Sequence, residues 1–205
     1  HPLLDLVKPR LPKEEAFERF GLDPKRPTIG LLPGSRMQEI KRHLPILLET
    51  AQLLQKEIPS LQFIIPLASG IPMGALSPRM QNESLQVKVV EGFAYDAMNL
   101  SELMITASGT ATLEGAILGK PMIIIYKVSS LSYWIGRILV HVDHIGLVNL
   151  VGKETIAPEL IQNDANPKRI AEEALRILKD EKLRRQMTES MGRVPGCASP
   201  LQQKR

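Results

Sequence analysis

Cysteine is nearly absent from this 205-residue chain, Cys197 being the only one, and aromatic rings are few: four Phe, three Tyr and one Trp. A single thiol excludes a disulfide framework and a thiolate metal site, and it fits a reducing compartment. With so few rings, and none interleaved with basic residues, there is no stacking surface for bases, so nucleic acid is not an expected partner. No apolar run is long enough to cross a bilayer, and no signal peptide opens the chain. What remains is an ordinary globular balance, 43% hydrophobic and 23% charged, enough to build a core. The formal net charge of +4 favours anionic partners, nucleotides and phospholipid headgroups among them.

The most informative residues are Ser108-Gly109-Thr110-Ala111-Thr112-Leu113-Glu114. They follow the apolar run Leu103–Thr106, which reads as a strand, and they open a small-residue run that reads as a helix. A strand, a glycine-containing turn and a helix start leave several N–H groups unpaired and aligned with the helix dipole, an arrangement that suits a phosphate. Glu114 falls one turn into the helix, where its carboxylate is placed to accept hydrogen bonds from ribose hydroxyls. Ser and Thr at a helix start also act as simple caps. A second turn shifts the balance. Thr28–Leu32 reads as a buried strand that ends in Pro33-Gly34-Ser35-Arg36, where Gly34 permits close approach of backbone and Arg36 offers a planar fork for phosphate oxygens. In an open parallel sheet, ligands collect at the carboxyl ends of strands, so the two turns are candidates for one shared site.

Strands and helices alternate along the chain. Strands are expected at Thr28–Leu32, Gln62–Leu67, Val87–Val90, Leu103–Thr106 and Met122–Tyr126, and helices at Lys13–Phe20, Leu44–Ile58, Ala94–Asn99 and Thr110–Leu118. Ser77–Asn82 is poorly patterned, Ser129–Leu139 reads as a further helix, and Ile145–Val151 as a short extended segment. Asn166-Pro167 supplies a cap and a first-position proline for a helix with Ile170, Ala174, Ile177 and Leu178 on its apolar stripe. Glu181–Met191 forms another. The expected fold is α/β: a Rossmann-like parallel sheet with helices on both faces. Residues 1–12 are expected to be a linker, 13–192 the domain, and 193–205 an irregular or truncated tail. His43, between Arg42 and Leu44, reads as part of a solvated basic turn. His141, Asp143 and His144 leave a third metal ligand unclear, and no metal site is expected.

Several segments together resemble a known family. Leu31-Leu32-Pro33-Gly34-Ser35-Arg36 with Glu39, the run Ala107–Glu114, and Tyr126-Lys127 followed by Tyr133, Arg137 and Leu139-Val140 are three of its signatures. Gly146-Leu147-Val148-Asn149 and Pro158-Glu159-Leu160-Ile161-Gln162 continue the pattern. In order and spacing they are similar to bacterial lipid-A-disaccharide synthase over about residues 1 to 195, far more specific than any one motif. The resemblance implies one half of a GT-B glycosyltransferase, the C-terminal half that holds the nucleotide-sugar donor. His1-Pro2 looks like the family's inter-domain linker, and the N-terminal domain, with the acceptor site and general base, is expected to be missing. Val148 departs from the family's usual proline, and the chain stops at Arg205 where the family continues into a further helix.

The reaction the resemblance implies is an inverting hexosyl transfer. Diacylglucosamine passes from UDP-2,3-diacylglucosamine to 2,3-diacylglucosamine 1-phosphate, giving lipid A disaccharide 1-phosphate and UDP. Arg36 and Asn149 would stabilise the transition state or leaving group. Ser35, Arg36, Glu39, Ser108, Gly109, Thr110, Ala111, Thr112, Glu114, Tyr126 and Asn149 would bind substrate. No cofactor is expected. Partners would be the two acylated substrates and the missing domain; the amphipathic stretch Tyr133–His141 reads either as a helix packed into the core or as an interfacial surface against the anionic cytoplasmic face of the inner membrane. The chain alone is expected to be inactive. Competing readings are a catalytically silent UDP-sugar-binding module and another GT-B enzyme such as a UDP-GlcNAc epimerase.

Overall fold

A computed structural model of the chain describes residues 6–68, 70–76, 85–128 and 144–197. Six strands form one sheet: β1 (Thr28–Leu32), β2 (Gln62–Leu67), β3 (Val87–Glu91), β4 (Leu103–Ala107), β5 (Met122–Tyr126) and β6 (Glu159–Ile161). Every pairing is parallel and the spatial order is β3-β2-β1-β4-β5-β6. All residues of β1, β2 and β4 are buried, which is why these strands read as continuous apolar runs rather than alternating ones. Along β2 the side chains still alternate: Phe63 and Ile65 join the larger core, and Ile64 a smaller one on the other face.

The helices are α1 (Lys13–Phe20), α2 (Met37–Glu57), α3 (Ala94–Leu100), α4 (Thr110–Ile117), α5 (Leu147–Gly152), α6 (Pro167–Lys179) and α7 (Glu181–Arg193). Leu44, Leu47, Leu48, Ala51 and Leu54 of α2 are buried as the spacing predicts. Each such leucine contributes roughly 1.5–3 kcal/mol relative to exposure. Asn166 caps α6 by accepting the Arg169 N–H, with Pro167 behind it, and Asp180 caps α7 through the Leu183 N–H. Gly21, in the left-handed region at φ 62°, closes α1.

Two expectations need correction. Residues 145–151 are not extended, because α5 occupies Leu147–Gly152. Helix α2 begins at Met37, two turns earlier than its apolar stripe suggests. From Leu6 to Pro12 the chain lies against the domain: Val7 is buried, and the Arg10 and Leu11 N–H groups both donate to the buried Asp96 carboxylate, at 2.7 and 2.8 Å. At the other end α7 runs to Arg193, and Val194 and Cys197 pack into the core. The expected helix at Ser129–Leu139, the stretch Ser77–Asn82, and His141 and Asp143 lie outside the described residues.

Candidate functional site

Strand β1 lies between β2 and β4, and the connections from β1 and β4 run to opposite sides, so the switch point of the sheet falls between them. The turns after these two strands, Pro33–Arg36 and Ser108–Thr110, open onto one cleft of about 460 Å³. Arg36 and Glu114 both line it, as do Ser35, Gly109 and Ala111. The two turns identified in the sequence therefore meet in space.

The first turn is held by its own helix. The Glu39 carboxylate accepts the Ser35 N–H at 2.9 Å and the Arg36 N–H at 3.2 Å, so it caps the start of α2 from inside the first turn. Gly34 sits at φ 121°, and a β-carbon there would also come within 2.7 Å of the Glu39 β-carbon. Glycine is required on both counts. The Arg36 guanidinium is 3.5 Å from Glu39, but its side chain is 82% exposed, so the pair is weak and the fork is available to a ligand.

The second turn is built differently. Ser108 gives its N–H to the Ile125 carbonyl and its hydroxyl to the Ile145 carbonyl, so it anchors the turn. Thr112 is buried, and its hydroxyl donates to the Gly109 carbonyl at 2.8 Å. These two hydroxyls serve the fold and are not aimed at a ligand. The N–H groups of Gly109, Thr110 and Ala111 precede the first intrahelical bonds, and no acceptor takes them among the described residues. A β-carbon added to Gly109 would meet no protein atom within 4 Å, so the space over this turn is open. Glu114 lies one helical turn further on. Burial pushes its carboxyl above the usual carboxylate range, while a hydrogen bond from the Tyr95 hydroxyl, at 3.4 Å, opposes the shift.

Three expected site residues are not brought to the cleft: the buried Thr112, Tyr126 and Asn149. Tyr126 ends β5 half-buried and does not line it. Asn149 is fully buried, with every polar atom used within the fold. Its Nδ2 donates to the Ala157 carbonyl and to Glu159, each at 2.7 Å, and its Oδ1 accepts the Ile156 and Ala157 N–H groups at 2.9 Å. The residue it serves was missed in the sequence. Glu159, first in β6, also accepts the Ile145 and Gly146 N–H groups at 2.8 and 3.1 Å, with His144 at 3.8 Å. Because Ile145 takes the Ser108 hydroxyl and Leu147 lines the cleft, this network fixes the wall next to the second turn. The short spacing Asn149…Pro158-Glu159 carried that signal only as a motif, since neither residue has an apolar period to mark it.

Strand order and the switch-point cleft define the class: a Rossmann-like α/β domain of the type found in GT-B glycosyltransferases and epimerases. Solved structures agree on the fold. UDP-GlcNAc 2-epimerase from Neisseria meningitidis bound to UDP-GlcNAc matches with a TM-score of 0.62 at 15% identity, over 96% of this chain and 49% of that one. CalG4, the calicheamicin glycosyltransferase, matches with a TM-score of 0.57 at 13% identity, over 88% of this chain and 41% of that one. The chain belongs to the lipid-A-disaccharide synthetase family, whose model matches residues 1–195. Lipid-A-disaccharide synthase of Nitrosococcus oceani is 48% identical over 187 residues, 91% of this chain and 48% of the relative. The Geobacter sulfurreducens protein of that name is 49% identical over 180 residues, 88% of this chain and 47% of the relative. The chain thus spans about half the length of these curated relatives.

Proposed function

We propose that the cleft holds the UDP part of UDP-2,3-diacylglucosamine, and that the chain is the donor-binding half of a lipid-A-disaccharide synthase. The observation that carries this reading is the meeting of Arg36 with the unpaired N–H groups of Gly109–Ala111 across the switch point. A guanidinium and a helix N-terminus facing one cavity suit a diphosphate. Glu114, one turn deeper, suits the ribose hydroxyls.

In the transfer, the 6-hydroxyl oxygen of the acylated glucosamine 1-phosphate attacks the donor's anomeric carbon. The bond from that carbon to the diphosphate oxygen breaks, and UDP leaves with the electron pair. The hydroxyl proton passes to a base in the half of the enzyme that the relatives' remaining length would supply. Attack opposite the leaving group inverts the anomeric carbon. Arg36 and the N–H groups meet charge that grows on the departing diphosphate, so they favour the transition state over the ground state. Asn149 contributes by holding Glu159 and the wall behind Ser108 rather than by touching the donor. No helix among the described residues is long and apolar enough to cross a membrane. Because both substrates carry acyl chains, we place the work of the complete protein at the cytoplasmic face of the inner membrane, by peripheral contact.

Calorimetry with UDP on the purified chain tests the first part. Saturable binding is expected, with no disaccharide formed from both substrates until an N-terminal half is supplied. Absence of UDP binding removes the donor reading; turnover by the chain alone removes the assignment of the base to the other half.

A further inference from the structure

Helix α2 grips the Pro33–Arg36 turn at both ends. Glu39 takes the N–H groups of Ser35 and Arg36. One helical turn on, His43 lies beneath the turn, with Nδ1 2.8 Å from the Pro33 carbonyl oxygen. The basic neighbours Lys41 and Arg42 suggest a solvated histidine, but the ring is 3% exposed. A carbonyl can only accept, so the proton in this contact belongs to Nδ1. Burial keeps the imidazole below its ordinary pKa of 6.5, although the Pro33 and Lys127 carbonyls both favour the protonated ring, and Nε2 is buried with no well-formed hydrogen bond among the described residues. Burial favours the neutral ring, and with the proton held on Nδ1 by the Pro33 carbonyl Nε2 is left bare. Next to it, Arg42 donates to the Lys127 carbonyl at 3.2 Å, fastening the same part of α2 to the end of β5.

The Pro33–Gly34 peptide is planar, so fixing the Pro33 carbonyl also fixes the direction of the Gly34 N–H. With Glu39 holding the next two N–H groups, the turn is defined from Pro33 to Arg36. An apolar residue at position 43 would pack as well but would leave the Pro33 carbonyl without a donor.

We propose that His43 is a positioning residue for the anion-binding turn: its Nδ1–H holds the Pro33 carbonyl and so sets how Ser35 and Arg36 face the cleft. The inference rests on the UDP reading for its functional consequence, but the geometry it asserts does not depend on that reading. The test uses the purified chain with UDP as the probe, alongside thermal unfolding and amide hydrogen exchange at Ser35 and Arg36. His43→Leu is expected to weaken UDP binding about tenfold and to speed exchange at both amides. His43→Asn, whose side-chain N–H falls close to the position of Nδ1, is expected to restore both to within about twofold. Wild-type affinity and exchange in His43→Leu, or no rescue by His43→Asn, would overturn the proposal. Should His43→Leu fail to fold, the imidazole 15N spectrum of the wild-type chain decides: a proton on Nδ1 supports the assignment and a proton on Nε2 defeats it. If the wild-type chain does not bind UDP, the donor reading falls, while exchange at Ser35 and Arg36 still judges His43.

Discussion

The sheet has a cavity at each end, similar in size and opposite in chemistry. At the carboxyl end, a cleft of about 460 Å³ is walled by helix starts, with α4 N–H groups that no acceptor takes among the described residues and a guanidinium nearby. At the amino end, a hollow of about 480 Å³ lies between the ends of α3 and α4 and the first turns of α1 and α7. There the carbonyls are met by donors: Lys120 reaches the Asn99 carbonyl, Thr188 that of Gly119, and Arg184 those of Ile177 and Leu178. Cations at helix C-termini answer the negative end of the dipole, so Lys120 and Arg184 of the lower hollow are spent on the fold. The exposed Arg36 of the upper cleft is not. Positive charge in a cavity therefore points to an anionic ligand only where the neighbouring backbone has not already claimed it.

The sharpest way to break this contrast is Arg36→Ala. On the proposed donor reading, and with an N-terminal half supplied, it is expected to lower kcat by about a hundredfold or more, measured as disaccharide formed, with Tm unchanged. Next comes Gly34→Ala, which meets Glu39 and forces a side chain into positive φ. A loss of about 1–3 kcal/mol in stability by denaturant unfolding is expected, together with weakened UDP binding. A turn that tolerates alanine at both levels would mean that Glu39 does not hold it.

Glu114 yields a smaller effect with a distinctive sign. Burial raises its native pKa above the ordinary carboxylate value, so on acidification the folded state takes up the proton before the unfolded state does. Falling pH through that window should make the fold slightly more stable while UDP affinity drops, because a protonated carboxyl accepts ribose hydroxyls poorly. Calorimetry and thermal melts across the same pH series check the two opposite slopes. Glu114→Gln should remove both.

The smallest effect on UDP affinity belongs to the lower hollow. Burial first, and then the Lys13 charge, push the Lys120 amine down from 10.5 to about 8. Between those values the unfolded chain holds more protons than the native one, so stability should rise as pH climbs from about 8 to 10.5. Lys120→Met should flatten that slope and leave UDP affinity untouched. A change in UDP affinity would show that the two cavities are not independent.

Much of this architecture is legible in the sequence, and what is not has physical causes. Strands buried on both faces announce themselves as apolar runs, so β1, β2 and β5 are read with their observed limits. Strand β6 has only three residues and begins with Glu159, which leaves no run to see. Helix α5 has no apolar period; the Asn149–Glu159 bonds, which are tertiary, decide its conformation. His43 does carry a readable signal, since it shares a helix face with Ile40 and Leu47, but its charged neighbours mask it. Of the site, the two glycine turns are visible because their residue types are dictated locally. Which hydroxyls face the ligand is not, for Ser108 and Thr112 find their acceptors only once the chain is folded.

The switch point also governs when the cleft comes into being. Strand β1 pairs with β4 through Leu31 and Ile105, and the whole β2–β3 unit lies between them in the chain. Closing so long a loop is a slow, late step compared with forming helices or adjacent pairings. Arg36 and Gly109 are brought together by that step, so recovery of nucleotide affinity during refolding should lag behind the return of helical signal.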